Sequence, residues 1–434
     1  MHRSTASIKT LGCKLNQYEG EQMRLQLQRL GYRVIPYDDG ADVCIINSCT
    51  VTSRTDRETR RLARGARRLN PGALVVVTGC YAEVRPEDLE AIAGVDMVFG
   101  NAGKQQLAER IPPADGHERA DAGPEGQVII HDFSDHTRAF VKVQEGCDAH
   151  CSYCIIPTAR GCSRSVPSET VLAQCLVLAE AGYPEIILIG THLGRYGVDL
   201  DEDTNLAQLI ELIGRSPVPR LRISSIEPRE VTDEIINMVA RGGQALSDPV
   251  TGKLCRHLHI PLQSGCDSVL RRMGRPYDTV FYRDLALRVK QAAPDTCIGA
   301  DVIVGFPGET EEEFETTRRL IADLPLSYLH VFTYSERQGT PAASLPNPVD
   351  YELRKARNHV LRDMSEHKRA EFARSMVGKR LEVVLQSPQG NGLVRGISDN
   401  YLEVDVTNAG ELTGRLIDVL VTHADKGHIE ARIS

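Results

Sequence analysis

The chain has 434 residues, 41% hydrophobic and 25% charged, with 12 cysteines and a formal net charge of −8. These proportions are those of a globular protein of two or three domains, and no apolar run reaches the length that crosses a bilayer. The acidic total excludes a surface given over wholly to nucleic acid and leaves only a local basic patch for that role.

The amino terminus, Met1-His2-Arg3-Ser4-Thr5, leads into Ile8-Lys9-Thr10-Leu11 without a signal-peptide core, so no membrane association and a cytoplasmic location are expected. In such a reducing compartment cysteines are poor disulfide formers and better metal or cluster ligands, or plain core residues. Short apolar runs followed by turn residues predict buried parallel strands at Ile8–Leu11, Val43–Ile46 and Leu74–Val77. Helices are predicted between them, around Glu19–Leu30 and Arg54–Leu69, the second stopped by Asn70-Pro71-Gly72. The expected first domain is therefore a Rossmann-like parallel sheet over residues 1–115, followed by a Pro/Gly-rich linker over 116–132.

The next segment, 133–371, repeats the strand–helix alternation, with strands predicted at Ala139–Val143, Ile186–Ile189, Leu221–Ser224, His257–Ile260, Ile298–Val304 and Tyr328–Phe332. Six parallel strands with crossover helices predict an α/β barrel of the TIM type that is not fully closed. From 375 to 434 the texture changes to short strands separated by Gly, Asn and Asp turns, which predicts a small all-β barrel of the oligonucleotide-binding type.

The densest chemistry is Glu145-Gly146-Cys147-Asp148-Ala149-His150-Cys151-Ser152-Tyr153-Cys154, just after the first predicted barrel strand. Three thiolates on one tight loop can hold three irons of a cubane and leave the fourth without a protein ligand. A structural zinc site completed by His150 or a distant cysteine is the alternative, although zinc knots favour paired Cys-x-x-Cys units. Three further cysteines each follow a predicted strand: Cys13, Cys49 and Cys80. Loops beyond the carboxyl ends of parallel strands lie on one edge of a sheet, where ligands bind, so these three are expected to converge. The alternative is three buried cysteines behaving as small hydrophobes. Their neighbours Gly12, Asn47-Ser48 and Gly79 are small or polar, which favours a site.

The spacing of Cys147, Cys151 and Cys154 is that of radical S-adenosylmethionine (SAM) enzymes. The stretches Lys9-Thr10-Leu11-Gly12-Cys13-Lys14-Leu15-Asn16-Gln17-Tyr18-Glu19, Asn47-Ser48-Cys49-Thr50-Val51-Thr52 and Thr78-Gly79-Cys80 extend the likeness. Over nearly its whole length the chain resembles the radical SAM methylthiotransferase family, with a last segment similar to a TRAM domain, a small RNA-binding barrel. Cys49-Thr50-Val51-Thr52, Gly190-Thr191-His192-Leu193-Gly194-Arg195-Tyr196-Gly197 and Ser224-Ser225-Ile226-Glu227-Pro228 resemble the branch acting on N6-threonylcarbamoyladenosine of tRNA rather than the isopentenyladenosine or ribosomal-protein branches.

The resemblance implies two [4Fe-4S] clusters, an auxiliary one on Cys13, Cys49 and Cys80 and a SAM-binding one on Cys147, Cys151 and Cys154. It implies a sulfur-group transferase that places a methylthio group on C2 of the modified adenine at tRNA position 37. Its partners would be the tRNA anticodon loop and an electron donor such as flavodoxin or ferredoxin. Tyr153 stands at the aromatic position before the third cysteine, where the family's backbone meets adenine. Further SAM contacts are expected at barrel strand ends: Gly190, Thr191, Glu227, Gln263, Val302 and Gly305. Two departures add thiols: Cys266 replaces the usual serine after Ser264-Gly265, and Cys162 replaces the usual arginine after Gly161. Cys44, Cys175, Cys255 and Cys297 fall in strand or helix patterns and are expected in the core. A zinc-stapled RNA-binding protein without catalysis is the reading from another class.

For RNA contact, Arg57, Arg60, Arg61, Arg64 and Arg68 recur at helical spacing and share one face, which suits phosphates or simply water. Between Lys379 and Ser434 six Lys/Arg face eight Asp/Glu, so any RNA contact there needs a local face such as Arg380, Arg395 and Arg415.

Overall fold

The computed structural model describes residues 3–118, 128–133, 136–201, 203–390 and 392–434. Residues 119–127 of the expected linker lie outside the described residues. The chain divides into two compact units, the first being Met1–Ser134, Glu145–Cys162 and Ser335–Ala343, the second Asp135–Gln144, Ser163–Tyr334 and Ser344–Ser434.

In the first unit, β1 (Thr5–Thr10), β2 (Arg33–Val34), β3 (Val43–Ser48), β4 (Leu74–Gly79) and β5 (Met97–Phe99) form a parallel sheet in the order β2-β1-β3-β4-β5. Central strand β3 is buried at every position, as a strand covered on both faces must be. Its side chains alternate between two cores. Val43 and Ile45 pack with Met23 and Leu27 of α1 (Lys14–Arg29), while Cys44 and Ile46 pack with Leu62, Ala63 and Ala66 of α2 (Ser53–Leu69). The two-residue β2 and the three-residue β5 are too short to give a period in the sequence and went unread there.

Helix α1 begins at Lys14, five residues before the predicted Glu19. The polar run Lys14-Leu15-Asn16-Gln17 conceals it, because Asn16 looks like a loop residue and is in fact fully buried. Its side-chain amide donates to the Leu11 carbonyl at 2.8 Å and to the Ser48 carbonyl at 2.9 Å, which satisfies the loop ends of β1 and β3. Helix α2 starts with a capping box between Thr52 and Thr55 and stops at Asn70 as the Asn-Pro-Gly run predicts. Cys80 does not lie in an open loop; it opens the short helix α3 (Cys80–Val84).

In the second unit six strands follow one another in space as they do in sequence. β6 (Ala139–Lys142), β7 (Ile186–Ile189) and β8 (Leu221–Ile223) form one parallel run. β9 (His257–His259), β10 (Cys297–Val304) and β11 (Tyr328–Thr333) form the other. A parallel bridge between Leu221 and Leu254, and the Ile226 N–H donating to the His259 carbonyl at 3.0 Å, carry the curvature across the seam. The result is the predicted incomplete barrel.

The last strands, β12 (Arg380–Gly390), β13 (Leu393–Ser398), β14 (Glu403–Thr407), β15 (Leu416–Asp425) and β16 (His428–Ile433), close into a five-stranded barrel in the order β12-β13-β14-β16-β15. Closure removes exposed edges and encloses Val383, Val394, Val404, Val419 and Ile429.

The small barrel is seated on the six-stranded one by a buried charge cluster. Glu185 receives Arg220 at 2.6 Å, Arg222 at 3.0 Å and Arg138 at 3.2 Å. Arg220 then donates to the carbonyls of Glu382 and Ile397, and Arg222 to those of Ser398 and Asp399. Burial by itself would raise the Glu185 carboxyl, but the guanidinium groups of Arg222, Arg220 and Arg138 outweigh it and hold it well below the usual range. Its stabilising contribution is therefore present above the pKa of the unfolded chain and is lost only as pH falls through the depressed folded value. Glu185→Gln leaves the buried guanidinium groups uncompensated and should cost about 3–5 kcal/mol. Urea titration of the transition that unfolds this unit checks it; an unchanged midpoint would contradict the assignment.

Candidate functional site

In the first unit the strand register places two of the separated thiols side by side. Ser48 is opposite Gly79, so the next residues, Cys49 and Cys80, leave neighbouring strands together. Thr10 is opposite Asn47, and Cys13 follows three residues later at the cap of α1. Gly12, at φ +95°, makes room: a Cβ there would lie 2.6 Å from Cys49 Sγ. Gly79, at φ +99°, is crowded in the same way by the Ser48 carbonyl, 2.4 Å from where its Cβ would be. Only glycine tolerates both the backbone and the crowding at these two turns.

Burial pushes the Cys49 thiol up to about 11, and the nearby Cys80 and Cys13 sulfurs push it the same way, against a backbone N–H from Val51. Both sulfurs therefore lie within electrostatic reach of Cys49. The donor set suits a cluster: soft thiolates, a backbone N–H directed at Cys49, and the Asn101 amide 3.8 Å from Cys80 Sγ.

The loop Glu145–Cys162 belongs to the same unit. Gly146, at φ +74°, packs so closely on Cys162 that a Cβ would lie 1.9 Å from the Cys162 carbonyl oxygen. Cys147 N–H donates to the Gly161 carbonyl at 3.0 Å, Cys154 N–H to the Cys151 carbonyl at 3.1 Å, and Ala149 N–H to Cys147 Sγ at 3.4 Å. Cys147, Cys151, Tyr153 and Cys154 are all half-buried, which leaves access from one side. A second strap helps hold the loop: the Ala342 N–H donates to the Ser152 carbonyl at 2.8 Å.

Arg160, which ends the short helix α4 (Ile156–Arg160), binds this loop to the sheet. Its guanidinium donates to Glu19 at 2.7 Å and to Asn16 at 2.6 Å, while Lys104 meets the other Glu19 oxygen at 2.6 Å. Burial would lower Arg160, but the Glu19 carboxylate, followed by the Cys80 and Cys13 sulfurs, raises it above its ordinary value. A second arginine, Arg337, donates to the Thr50 carbonyl at 3.2 Å and to Asp56 at 2.6 Å, fixing the backbone directly after Cys49. Sequence reasoning missed Arg160, Glu19, Lys104, Asn101 and Arg337 as site residues. A polar residue destined for burial gives no periodic signal, and Glu19 lies 141 positions from its partner Arg160.

In the second unit Gly190 and Gly305 directly follow β7 and β10, Val302 lies inside β10, and Glu227 and Gln263 stand four residues beyond β8 and β9. A Cβ on Gly190 would lie 2.9 Å from Gln144 Oε1, the oxygen that accepts the His192 N–H at 2.8 Å. The Thr191 hydroxyl is buried without a hydrogen-bond partner. Such an orphan at a strand end suits a polar ligand. Glu227 is paired with Arg275, and burial raises its carboxyl despite that pairing. Gln263, at φ +64°, forms a parallel bridge with Val302, so these two meet. Gly305 follows β10 at φ +73°, and its N–H donates to Glu309 at 2.6 Å. Cys266 is half-buried and Cys162 exposed, whereas Cys44, Cys175, Cys255 and Cys297 are buried as expected.

On α2, Arg57, Arg61, Arg64 and Arg68 are exposed, and the helix borders an open groove of about 740 Å³ lined by its arginines. Arg60 is committed to the Tyr81 hydroxyl, and Arg67 to Asp96 at 2.7 Å. In the small barrel Arg395 is bound through both nitrogens by Asp405 at 2.8 Å, so its charge is already answered.

The incomplete parallel barrel and the three-cysteine loop define a radical SAM protein, and the model of the radical SAM superfamily matches residues 141–321. A second model, described as the uncharacterized protein family UPF0004, matches residues 5–100. Threonylcarbamoyladenosine tRNA methylthiotransferase MtaB of Bacillus subtilis is 39% identical over 97% of this chain and 94% of its own. MtaB of Thermotoga maritima is 35% identical over 92% and 90%. The tRNA-2-methylthio-N(6)-dimethylallyladenosine synthase of Staphylococcus epidermidis is 32% identical over 97% and 83%. Among solved structures, the radical SAM methyltransferase TsrM of Kitasatospora setae superposes with a TM-score of 0.57, at 16% identity over 79% of this chain and 77% of that one, a likeness of fold. The chain belongs to the radical SAM methylthiotransferase family, in its MtaB group.

Two outcomes follow from the first unit's geometry. Gly12→Ala should displace Cys49, and with one of two cubanes assigned to this edge, as proposed below, iron per chain should fall by roughly half while the 147–154 loop is spared. Iron and sulfide assays of the anaerobically reconstituted variant measure it. Because burial pushes the Cys49 thiol up to about 11 and a thiol binds metal as the thiolate, iron uptake by the cluster-free chain should grow stronger as pH rises from 7 to 9; a pH-independent uptake would count against thiolate ligands.

Proposed function

We propose that this chain is a tRNA methylthiotransferase that inserts a methylthio group at C2 of N6-threonylcarbamoyladenosine at position 37. In this reading Cys147, Cys151 and Cys154 hold one [4Fe-4S] cluster and leave its fourth iron open for SAM, and Cys13, Cys49 and Cys80 hold the auxiliary cluster. The observation that carries it is the convergence of three cysteines, far apart in sequence, at the ends of β1, β3 and β4, in the same compact unit as the 147–154 loop.

An adenine C2–H has no leaving group and no proton acidic enough for a side-chain base, so ordinary acid–base catalysis cannot reach it. When bound, the clusters and SAM supply the one-electron chemistry and the sulfur that such a carbon needs. The chain's own residues bind and orient. Gly12 and Gly79 let the thiols come together, and Arg160 and Arg337 hold the loops that carry them; within the second unit Gly190, Thr191, Glu227, Gln263, Val302 and Gly305 are the candidates for SAM contact, and within the first Tyr153.

The tRNA anticodon loop is the substrate region, with the exposed row Arg57, Arg61, Arg64 and Arg68 suited to its phosphates. Flavodoxin or ferredoxin is the electron donor, and the location is cytoplasmic. Among the described residues no helix is long and apolar enough to cross a membrane.

Nucleoside analysis of tRNA from a deletion strain tests the reading. The 2-methylthio threonylcarbamoyl nucleoside should vanish and return with the wild-type gene, but not with Cys147, Cys151 and Cys154 changed to alanine. Loss of the isopentenyl counterpart instead would move the substrate to the other tRNA branch. Anaerobically purified protein carrying zinc in place of iron would replace the enzyme with a metal-stapled RNA binder.

A further inference from the structure

Inside the second unit three ligand-type side chains meet on three adjacent strands, away from both cysteine trios in sequence. His259 ends β9, Asp301 lies within β10 and His330 within β11. The register puts Asp301 directly opposite His330, and His259 opposite Gly299, two residues before Asp301 on the same face of the pleat. Their ligand atoms all lie within 4.8 Å of one another.

Two distances separate this group from an ordinary ion pair. His259 Nε2 is 3.3 Å from Asp301 Oδ1, and His330 Nδ1 is 3.4 Å from the same oxygen. A charge-assisted N–H···O bond closes to about 2.7–2.9 Å. Donors about 2.0–2.1 Å from one tetrahedral ion instead stand about 3.3–3.4 Å apart, the separation of each imidazole nitrogen from Asp301 here, with the two nitrogens within 4.8 Å of each other.

The second observation is a buried atom without a well-aligned partner. The His259 side chain is only 9% exposed, yet its Nε2 closes no well-aligned hydrogen bond and stands 3.3 Å from Asp301 Oδ1, a carboxylate that burial would raise but the two imidazoles hold well below its usual range. Its other nitrogen, Nδ1, is fixed by the Ser225 hydroxyl at 2.7 Å, the outer hydrogen bond that sets the ring of a metal-bound imidazole. Tyr328 supports both imidazoles, its ring centroid 6.0 Å from that of His259 and 5.2 Å from that of His330. Gly299 is required beneath them, since a Cβ there would lie 2.2 Å from the Tyr328 ring. His330, half exposed at 52%, leaves a route for an ion to enter.

We propose that His259 Nε2, Asp301 Oδ1 and His330 Nδ1 form a site for one divalent first-row transition ion, zinc foremost. Two imidazoles and one carboxylate are a donor set that such ions accept, and three protein ligands leave a fourth position for water or for an oxygen of a bound nucleotide. The site needs no thiolate, so it is independent of whether the cysteine trios carry clusters.

The test uses the full-length chain purified anaerobically, with its cysteines in whatever state they are isolated. After saturation with zinc and removal of loose ion by gel filtration, wild type should hold one more equivalent of zinc than Asp301→Asn and than His259→Ala. Zinc X-ray absorption of that extra equivalent should show nitrogen and oxygen neighbours and no sulfur. Ser225→Ala, which keeps all three ligands, should weaken binding by about 10–100-fold. Iron content and thermal melting equal to wild type would show that the variants are folded; where Asp301→Asn is not, Ser225→Ala still decides. Equal zinc in wild type and the variants, sulfur in the neighbour shell, or no effect of Ser225→Ala would each overturn the site.

Discussion

Everything in the first unit that concerns chemistry hangs on one buried ion pair. Arg160 ends the helix that follows the 147–154 loop, and Glu19 stands in the helix that Cys13 caps. Their guanidinium–carboxylate contact at 2.7 Å, with both side chains nearly inaccessible, ties the cysteine loop to the parallel sheet. A buried charge is tolerated only when it is paired and its remaining hydrogen-bonding capacity is used. Lys104 and Asn16 meet that requirement. Asn16 in turn joins the ends of β1 and β3, so a single connected network reaches from the loop to the edge that carries Cys13 and Cys49.

The same logic of paired burial recurs in the second unit with a different purpose. Glu185 and its arginines contribute no ligand and no exposed charge; they supply the carbonyls of the small barrel with donors where two all-apolar faces would offer none. Tyr401, held at φ +64° in the β13–β14 turn, stacks on His257 at 4.2 Å and continues the contact toward Tyr328. Polar side chains therefore run through the barrel in a stack, from Arg222 past Tyr401, His257 and Tyr328 to His259, Asp301 and His330. A column of that kind specifies one packing, because each member has a single partner geometry, whereas an aliphatic core would accept several.

Charge on the surface is arranged locally, as a net of −8 demands. The arginines of α2 were evenly spaced in sequence, but neighbours decide which remain available. Tyr81 and Asp96 engage Arg60 and Arg67, and Glu58 shares Arg61 at 2.6 Å. An exposed pair of that kind is worth little and does not prevent a phosphate from competing. Asp405, in contrast, grips Arg395 through two bonds and removes one of the few cations of the acidic last segment.

Much of the architecture was legible in the chain before any coordinate. Strands β3, β4 and β7 are largely apolar runs bounded by turns, and the last segment's even spacing of strands and Gly/Asn/Asp turns announced a barrel, since local periodicity survives without knowledge of neighbours. Both cysteine trios stood out in the chain as proposed cluster ligands, one by its spacing and the other by the rule that loops after parallel strands share an edge. Tertiary structure alone decided the rest. It placed Arg160 on Glu19 and Arg337 on Asp56, started α1 five residues early, added the short strands Arg33–Val34 and Met97–Phe99, and gathered His259, Asp301 and His330 from three strands. The reason is the same in each case. A polar residue is buried only because a partner far away in sequence satisfies it, and no local pattern records that partner.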